Sequence, residues 1–301
     1  MISYDATVIP MLAQSSEPFD SERHLFEIKW DGIRCIAFIN GKHVRLQNRG
    51  LQDISNNFPE VTAYLKRLRK HGILDGELVV FHEGKPSFSL LQQRNHLRDR
   101  TKIEFQSKTH PATLVAFDII QFKELLVTHE PLTQRKKRLH DFIGNKKHPF
   151  LLKSEFIVGE GISFFKEITS IELEGMMAKA KDSHYLIGKR SRHWFKVKAF
   201  KIQEFVILGY IAINNRIRKL VLGLRRNDKI QYVGKVGTGF SDELGKKLFE
   251  LLLMVKSDYQ PPGIELQGVT WVKPMVRCRV KYLEQSKRGK LRTPIFLGIV
   301  D

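Results

Sequence analysis

The stretch FEIKWDGIRC, residues 26 to 35, alternates charged and apolar side chains and constrains the local fold more than any other segment. Successive side chains of a β-strand point to opposite faces, so this period predicts a half-buried strand with one amine at the centre of its polar face. The charged positions are Glu27, Lys29 and Asp31, and the apolar positions are Ile28, Trp30 and Ile33.

Two interpretations of Lys29 follow from this spacing. It can be one partner of cross-strand ion pairs on an amphipathic strand, or it can be a catalytic amine, and spacing alone favours the ion pairs. After it, we expect Gly32 to let the backbone turn tightly. Arg34 then supplies a fixed cation whose planar fork of donors suits phosphate or ribose oxygens.

The rest of the chain predicts two domains. Its 301 residues, 42% of them apolar, can bury one large core or two modest ones. The first two-thirds mixes strands and helices, whereas strands dominate from Phe205 onward. Five short strands with one helix fit a small barrel of the oligonucleotide-binding (OB) kind. We therefore predict a boundary near Phe200, with domains at 1–200 and 201–301.

Three helices and four further strands are predicted from the sequence. PEVTAYLKRLRKHG should begin at Pro59 and end before Gly72, and TQRKKRLHDFIG should be capped by Thr133 and stopped by Gly144. SDELGKKLFELLLMV should be capped by Ser241, with acids in its first turn. The predicted strands are GILDGELVVF, ATLVAFDII, EGMMAKA and HWFKVKAF.

The charge of the chain points to a polyanionic partner. There are 51 Lys and Arg against 32 Asp and Glu, a formal net charge of +19. Between Lys196 and Lys235, basic residues are frequent and the acids are Glu204 and Asp228. The basic residues alternate with strand-like apolar runs. A basic β-surface favours a groove along a nucleic-acid backbone over a membrane-bound helix. The alternative is a surface that only improves solubility.

The cysteine count and the termini indicate an intracellular protein. Cys35 and Cys278 are too few for a disulfide framework or a four-cysteine zinc site. The N-terminus lacks the pattern of a secretory signal, and no apolar run reaches membrane-spanning length. We therefore expect a soluble cytoplasmic protein without membrane contact.

Several polar residues interrupt the apolar runs. Glu77 lies in LDGELVVF, Glu174 precedes Gly175, and Lys196 and Lys198 share one face of a strand. Each alone is typical of a solvated strand edge. Together with Lys29 they describe one site, in which an amine, carboxylates for a divalent cation and cations for phosphate converge.

These motifs resemble the nucleotidyltransferase superfamily of ATP-dependent DNA ligases, RNA ligases and mRNA-capping guanylyltransferases. Its signature is lysine, any residue, Asp-Gly, any residue, Arg, here Lys29 to Arg34. Further elements match in the same order. They are Arg49 in LQNRG, Glu77 in LDGEL, Phe117 in AFDII, Glu174 in EGMMAK, and Lys196 and Lys198 in WFKVK. Six motifs in order make the catalytic interpretation of Lys29 the better one.

Within that superfamily the sequence most resembles the ligase domain of bacterial end-joining ligase D. The likeness includes PMLA near the start, YVGKVGTGFSDE, WVKPM and GKLRTPIFLG. It implies an α+β fold, in which an adenylation (nucleotidyltransferase) domain of antiparallel sheets with flanking helices precedes an all-β OB-fold barrel with one helix. The polymerase and nuclease modules of multidomain relatives do not fit in this length, so we expect a stand-alone, monomeric ligase.

The resemblance also implies a role for each site residue. Lys29 would attack the α-phosphate of ATP, with Lys196 and Lys198 stabilising the phosphate. Glu174 would hold Mg²⁺ or Mn²⁺, and Glu27 would accept a hydrogen bond from the adenine amino group. Phe117 would stack on the base, Glu77 would bind the ribose, and Arg34 and Arg49 would bind sugar or phosphate. The implied partners are nicked or broken duplex DNA at the nucleoid and bacterial Ku.

The C-terminus departs from this pattern. Related domains continue past FLG with an arginine that orients pyrophosphate, whereas this chain has Val300 there and ends at Asp301. We expect either that Lys290 or Arg292 replaces the missing cation or that reaction with ATP is slow. The alternatives to a DNA ligase are an RNA ligase, a capping guanylyltransferase, and a non-catalytic OB-fold protein that binds nucleic acid.

Overall fold

The structure is a computed structural model that describes residues 1–145, 148–226, 229–258, 260–286 and 288–300. It divides into two compact units, Met1–Ala199 and Phe200–Asp301. Asp228 and Asp301, which entered the charge and C-terminal arguments, lie outside the described residues.

The first unit combines strands and helices throughout its length. Its strands are β1 (Leu12–Ser15), β2 (Ser21–Ile28), β3 (Ile33–Asn40), β4 (His43–Asn48), β5 (His71–His82), β6 (Lys85–Pro86), β7 (Ala112–Phe122), β8 (Leu125–Leu126), β9 (Leu151–Lys153), β10 (Phe156–Gly159), β11 (Gly175–Ala180) and β12 (Arg190–Lys198). Its helices are α1 (Pro59–Arg67), α2 (Phe88–Asn95), α3 (Arg100–Thr109), α4 (Leu132–Ile143) and α5 (Gly161–Ser170).

These strands form two sheets. One has the order β1-β12-β11-β2-β10, and the other has the order β4-β3-β5-β7-β8, with β6 beside β5 and β9 beside β7. The long central strands pair antiparallel, as predicted. Two short strands, β1 and β9, pair in parallel with β12 and β7, which the sequence did not indicate.

Apolar clusters place the two sheets face to face. Met11 and Trp194 of the first sheet region pack with Ile36, Phe38 and Phe117 of the second. The opposite face of the second sheet carries a larger cluster that includes apolar residues of α1, α2 and α4. Helix α5 covers the outer face of the first sheet through Ile168. The space between the sheets is therefore bounded by packed apolar side chains.

The second unit is a curved sheet with one helix in its described part. Its elements are β13 (Lys201–Ile213), β14 (Arg216–Arg226), β15 (Lys229–Val236), α6 (Asp242–Leu253), β16 (Thr270–Trp271), β17 (Arg277–Tyr282) and β18 (Ile295–Val300). The strand order is β15-β14-β13-β17-β18, with β16 beside β13. Backbone hydrogen bonds from Leu291 N to Val233 O (2.8 Å) and from Phe296 N to Thr238 O (2.9 Å) join the chain around β18 to the chain around β15, the two end strands of this order.

The helix boundaries test the capping arguments. Helix α6 is capped by the Ser241 side chain, which accepts from Leu244 N at 3.2 Å, as predicted. Helix α1 begins at Pro59 as predicted and ends at Arg67. Gly72, which was predicted to follow the end of this helix directly, already belongs to β5. Thr133 does not cap α4, since that helix begins one residue earlier.

Gly144 ends α4, with a φ of +80° that glycine adopts without strain. Among the described residues, no helix is long and apolar enough to cross a membrane.

Candidate active site

Lys29 lies just beyond the end of a strand and not within one. Strand β2 ends at Ile28, one residue before Lys29, so the prediction that this lysine lies in the middle of a strand is wrong. The neighbouring strand β11 begins at Gly175, and the last bond of this pairing runs from Lys29 N to Gly175 O at 2.9 Å. The amine therefore projects from a backbone that the sheet still fixes.

Gly32 is needed for close approach of two backbone segments. A Cβ atom at this position would lie 2.1 Å from Leu78 O and 2.6 Å from Glu77 Cγ. Gly32 lies at a bend just before β3 and does not have a positive φ, so its lack of a side chain serves close packing and not a left-handed backbone. Its missing side chain lets the segment after Lys29 pack against β5 beside Glu77.

A cavity of about 260 Å³ lies between the two sheets. Seven of the predicted site residues line it, and they come from both sheets and their connections. These are Lys29, Arg34, Arg49, Glu77, Phe117, Lys196 and Lys198. Residues that the sequence argument did not select complete the wall, among them Trp30, Met177, Lys179, Arg190 and Trp194.

Glu174 joins two of the lysines at this cavity. Its Oε2 accepts from Lys29 Nζ at 2.5 Å, and its Oε1 lies 3.4 Å from Lys198 Nζ. Its side chain is only 7% exposed. Lys29 thus has the ion-pair partner that the simpler interpretation expected, but the pair lies in a cavity with further cations.

Lys196 belongs to the same group of positive charges. Burial lowers its pKa, and the nearby Lys198, Arg190, Lys29 and Arg49 lower it further. Positive charges held this close repel one another, so an anion placed among them would relieve that repulsion. The arrangement suits the phosphate groups of a nucleotide.

Arg34 is fixed by a buried hydrogen-bond network. Its Nε and Nη2 donate to the two oxygens of Asp75, each at 2.5 Å, and its Nη2 also donates to Met11 O at 3.1 Å. Tyr185 OH donates to Asp75 Oδ2 at 2.6 Å and accepts from Met11 N at 3.2 Å. Burial alone would lower the pKa of Arg34, but the Asp75 carboxylate raises it overall. Arg34 Cζ lies 4.7 Å from the Phe117 ring centre.

Glu77 faces Arg34 across the β3–β5 pairing. Burial raises the pKa of Glu77 to about 8, against the opposing effects of Arg34 and Lys29, while Glu174 and Asp75 add to the increase. At neutral pH this carboxyl group is mostly protonated. It can therefore both donate a hydrogen bond to a hydroxyl group and accept one from it.

Glu27 is not among the residues that line the cavity, and 1% of its surface is exposed. Lys179 Nζ lies 3.1 Å from its Oε2 and Lys136 Nζ lies 2.7 Å from its Oε1. Lys179 Nζ also lies 4.2 Å from the Phe117 ring centre and 4.5 Å from that of Trp194. Burial lowers the pKa of Lys179 to about 8, although Glu27 opposes the change. Lys179 thus links the predicted adenine acceptor to the predicted stacking ring.

The described residues contain no group of three or more His, Cys, Asp or Glu side chains that could hold a metal ion. Glu174, which pairs with the cavity lysines Lys29 and Lys198, is a carboxylate that could hold such an ion. Mg²⁺ is commonly held by one or two carboxylates together with substrate phosphates, so this donor set fits such an ion once a nucleotide is present.

Lys290 and Arg292 both have partners within the second unit. Lys290 Nζ donates to Tyr232 O at 3.0 Å and lies 3.4 Å from the centre of the Tyr232 ring. Burial lowers the pKa of Lys290. Arg292 Nη1 donates to Glu284 Oε1 at 3.0 Å. Their predicted contact with pyrophosphate stays a prediction.

Known proteins resemble this chain over nearly its whole length. The family model described as the ATP dependent DNA ligase domain matches residues 10–198, and that of the ATP dependent DNA ligase C terminal region matches residues 214–301. The multifunctional non-homologous end joining protein LigD of Mycolicibacterium smegmatis is 31% identical over 303 residues. That match covers 96% of this chain but only 38% of the relative.

Two solved structures match as well. The crystal structure of the ligase domain from M. tuberculosis LigD is 29% identical, with a TM-score of 0.58 and coverage of 97% of this chain and 95% of that one. A structure of mycobacterial DNA ligase D complexed with ATP and MES has the same identity and coverage and a TM-score of 0.57.

The two units are therefore a nucleotidyltransferase domain and an OB-fold domain, which confirms the predicted fold class. The chain belongs to the family of ATP-dependent DNA ligases.

Proposed function

We propose that this chain seals nicks in duplex DNA with ATP, through an AMP group carried covalently on Lys29. The main observation that supports this proposal is that Lys29 lines one cavity with Lys196, Lys198, Arg34 and Arg49. Glu174 pairs with Lys29 and with Lys198, and the cations surround the space where phosphates would bind.

In the first step the Lys29 amine attacks the α-phosphate of ATP, and pyrophosphate leaves as the nitrogen–phosphorus bond forms. The amine must lose its proton to act as the nucleophile. Lys196 and Lys198 stabilise the negative charge that develops on the phosphate during displacement. Glu174 keeps the Lys29 side chain directed into the cavity until ATP binds.

Recognition of the nucleotide would use the walls of the cavity. Phe117 offers an aromatic face to the base, and Glu77, protonated at neutral pH, can exchange hydrogen bonds with a ribose hydroxyl. Glu27, held between Lys136 and Lys179, would accept from the adenine amino group. Guanine carries a carbonyl at that position, which cannot donate, so this contact would select ATP over GTP.

A divalent cation, Mg²⁺ or Mn²⁺, would be held by Glu174 and would neutralise phosphate charge. Glu174 now accepts from Lys29 Nζ, so a Glu174 carboxylate that held the ion would no longer be paired with that amine. Glu174 would then have two roles, one before the nucleotide binds and one after.

In the later steps AMP passes from Lys29 to the 5′-phosphate at a nick, and the adjacent 3′-hydroxyl then displaces AMP to seal the strand. The OB-fold domain offers positive charge for the DNA backbone, since Lys219, Arg225 and Arg226 are exposed on β14. Electrostatic binding of this kind tracks the phosphate backbone and not the base sequence.

A role in end joining is a further part of the proposal. It is suggested by the names of the LigD relatives, of which this chain spans little more than a third. DNA as the substrate would place the protein at the bacterial nucleoid. A pull-down with bacterial Ku, with and without DNA ends, tests this part, and failure to bind Ku or be stimulated by it would remove it.

The test of the proposed function uses two nucleotides and two substrates. The full chain is incubated with α-labelled ATP or GTP, and the protein is separated on a denaturing gel. We expect label from ATP only, and then sealing of nicked DNA faster than of the same nick in RNA. Label from GTP would indicate a capping enzyme, and preferential sealing of RNA would indicate an RNA ligase. The absence of any covalent label would overturn the proposal.

We also propose that Lys290 or Arg292 orients the pyrophosphate group. Single-turnover rates of AMP transfer from ATP, compared with rates of sealing a pre-adenylylated nick, separate the first step from the last. Lys290→Ala or Arg292→Ala should slow only the first step. If both variants transfer AMP at the wild-type rate, neither residue has this role.

A further inference from the structure

A second, larger cavity opens on the nucleotidyltransferase domain away from the candidate active site. It measures about 780 Å³, within the usual range of ligand sites, and is bounded by the turn before β5, the turn between β7 and β8, and helix α4. The stretch of β5 from His71, at this cavity, to Glu77, at the active site, spans about 20 Å at roughly 3.3 Å per residue. The two sites are therefore separate.

The floor of this cavity is apolar. Phe142 of α4 is buried, Phe122 at the end of β7 is partly buried, and Leu125 of β8 is 50% exposed. A leucine exposed to this extent beside two aromatic rings offers apolar surface that a bound side chain could cover. The floor therefore favours an occupant with an aromatic or large aliphatic group.

The rim of the cavity is predominantly positive. Arg69, Lys70, Lys123 and Arg138 line it, against Glu124 and Asp141. Arg138 is already bound by Glu130 at 2.6 Å, and Lys70 donates to the Phe142 carbonyl.

Arg69 and Lys123 are exposed at this rim. Neither forms an ion pair with a carboxylate in the described part of the chain. Two cations are thus available to an acidic occupant, beside the acids Glu124 and Asp141 of the same rim.

The backbone presents these two cations at a conformational cost. Arg69 and Lys123 each have a φ of +54°, in the left-handed region that glycine or asparagine occupies with less strain. Both strained turns direct a basic residue to the same cavity. Positive φ is uncommon at residues other than glycine, and eight such residues occur in the described part of the chain.

A neighbouring cavity extends the site. It measures about 450 Å³, shares His71, Lys123 and Glu124 with the first, and continues past Tyr4 and Phe38. Together the two cavities form a groove that passes over Lys123. A groove of this form suits an extended chain better than a compact small molecule.

We propose that this groove binds a short acidic peptide segment of a partner protein. Its carboxylates would pair with Arg69 and Lys123, and an aromatic or large aliphatic side chain would lie on Phe122, Leu125 and Phe142. A nucleic-acid backbone would also meet the cations but would leave the apolar floor uncovered, so a peptide fits the observations better. This proposal does not depend on the proposed ligase activity.

The test begins with a phage-displayed library of random linear peptides, selected on the full chain. Peptides are counter-selected on the Arg69→Glu/Lys123→Glu double variant. An enriched peptide is then labelled with fluorescein, and its affinity is measured by fluorescence polarisation. The matched control is Lys102→Glu/Lys108→Glu, which makes the same charge change at exposed positions of α3 outside both cavities.

We expect enriched peptides to combine Asp or Glu with Phe, Trp or Leu. The double variant should weaken binding about tenfold or more, Leu125→Gln should weaken it several-fold, and the control should leave it unchanged. The proposal is overturned if no peptide is enriched, if the enriched peptides lack acidic residues, or if the two double variants weaken binding equally. It is also overturned if Arg69→Glu/Lys123→Glu weakens binding of nicked duplex DNA but not of the peptide.

Discussion

Replacement of Asp75 by Asn should destabilise the nucleotidyltransferase domain more than any other single change at the edge of the cavity. The Asp75 side chain is fully buried and accepts two bonds from Arg34 and one from Tyr185. Asparagine has nearly the same shape but has no charge and turns one acceptor into a donor. The variant would leave the partly buried Arg34 guanidinium without its counter-ion.

The size of the effect follows from this geometry. Breaking a buried ion pair by removing one partner costs about 3–5 kcal/mol. For a domain of this size, 1 kcal/mol lowers the melting temperature by roughly 2–4 °C, so we expect a decrease of roughly 6–20 °C. Tyr185→Phe removes one bond to a charged group and should cost less, about 1.5–3 kcal/mol.

The assay is thermal unfolding followed by tryptophan fluorescence, since Trp30 and Trp194 lie in this domain. The control is Asp182→Asn, an exposed carboxylate whose loss should change stability by no more than about 0.5 kcal/mol. Asp75→Asn should also raise the KM for ATP, because Arg34 is then free to leave the cavity wall. If Asp75→Asn unfolds within about 2 °C of the wild type, the buried network does not have the role described.

Three further predictions follow from the site. Burial raises the pKa of Glu77 to about 8, so the folded state holds a proton that the unfolded state releases at lower pH. The free energy of unfolding of the wild type should therefore fall as pH rises to about 8, by at most ~1.4 kcal/mol per pH unit. Urea unfolding of Glu77→Gln should lack this pH dependence. Gly32→Ala should cost about 1–3 kcal/mol or more, because its Cβ would overlap Leu78 O, whereas Gly50→Ala, with only a side-chain atom at 3.3 Å, should be nearly neutral by the same measurement. Binding of nicked DNA should weaken by about tenfold or more between roughly 50 and 200 mM salt, and an affinity that stays flat would exclude the electrostatic mode of binding.

The sequence predicted those site residues that a repeating pattern places on one face. Lys196 and Lys198 are two residues apart on β12, and both line the cavity. Trp194 lies two residues before Lys196 on β12, and Asp75 lies two residues before Glu77 on β5. The same two-residue period therefore also indicates Trp194 and Asp75.

Other features depend on contacts between distant segments. Tyr185 reaches Asp75 from a loop 110 positions away in the chain, and no local pattern indicates this contact. Gly32 illustrates the same limit, because its function depends on Leu78, which the sequence places in another strand. Thr133 was a plausible cap by residue type, but α4 begins before it. Local rules identified β5, β7, β11, β12 and three of the six described α-helices, α1, α4 and α6, whereas tertiary packing decided these details.

The position of the covalent AMP group tests the central claim most directly. After reaction with ATP, the wild-type chain is digested, and the modified peptide is identified by mass spectrometry under conditions that preserve the nitrogen–phosphorus bond. We predict one AMP group, on Lys29, no modified peptide from Lys29→Ala, and slower but correctly placed labelling of Lys196→Ala. Wild-type labelling of Lys29→Ala, or AMP found on Lys179, Lys196 or Lys198 instead, would contradict the assignment of Lys29 as the nucleophile.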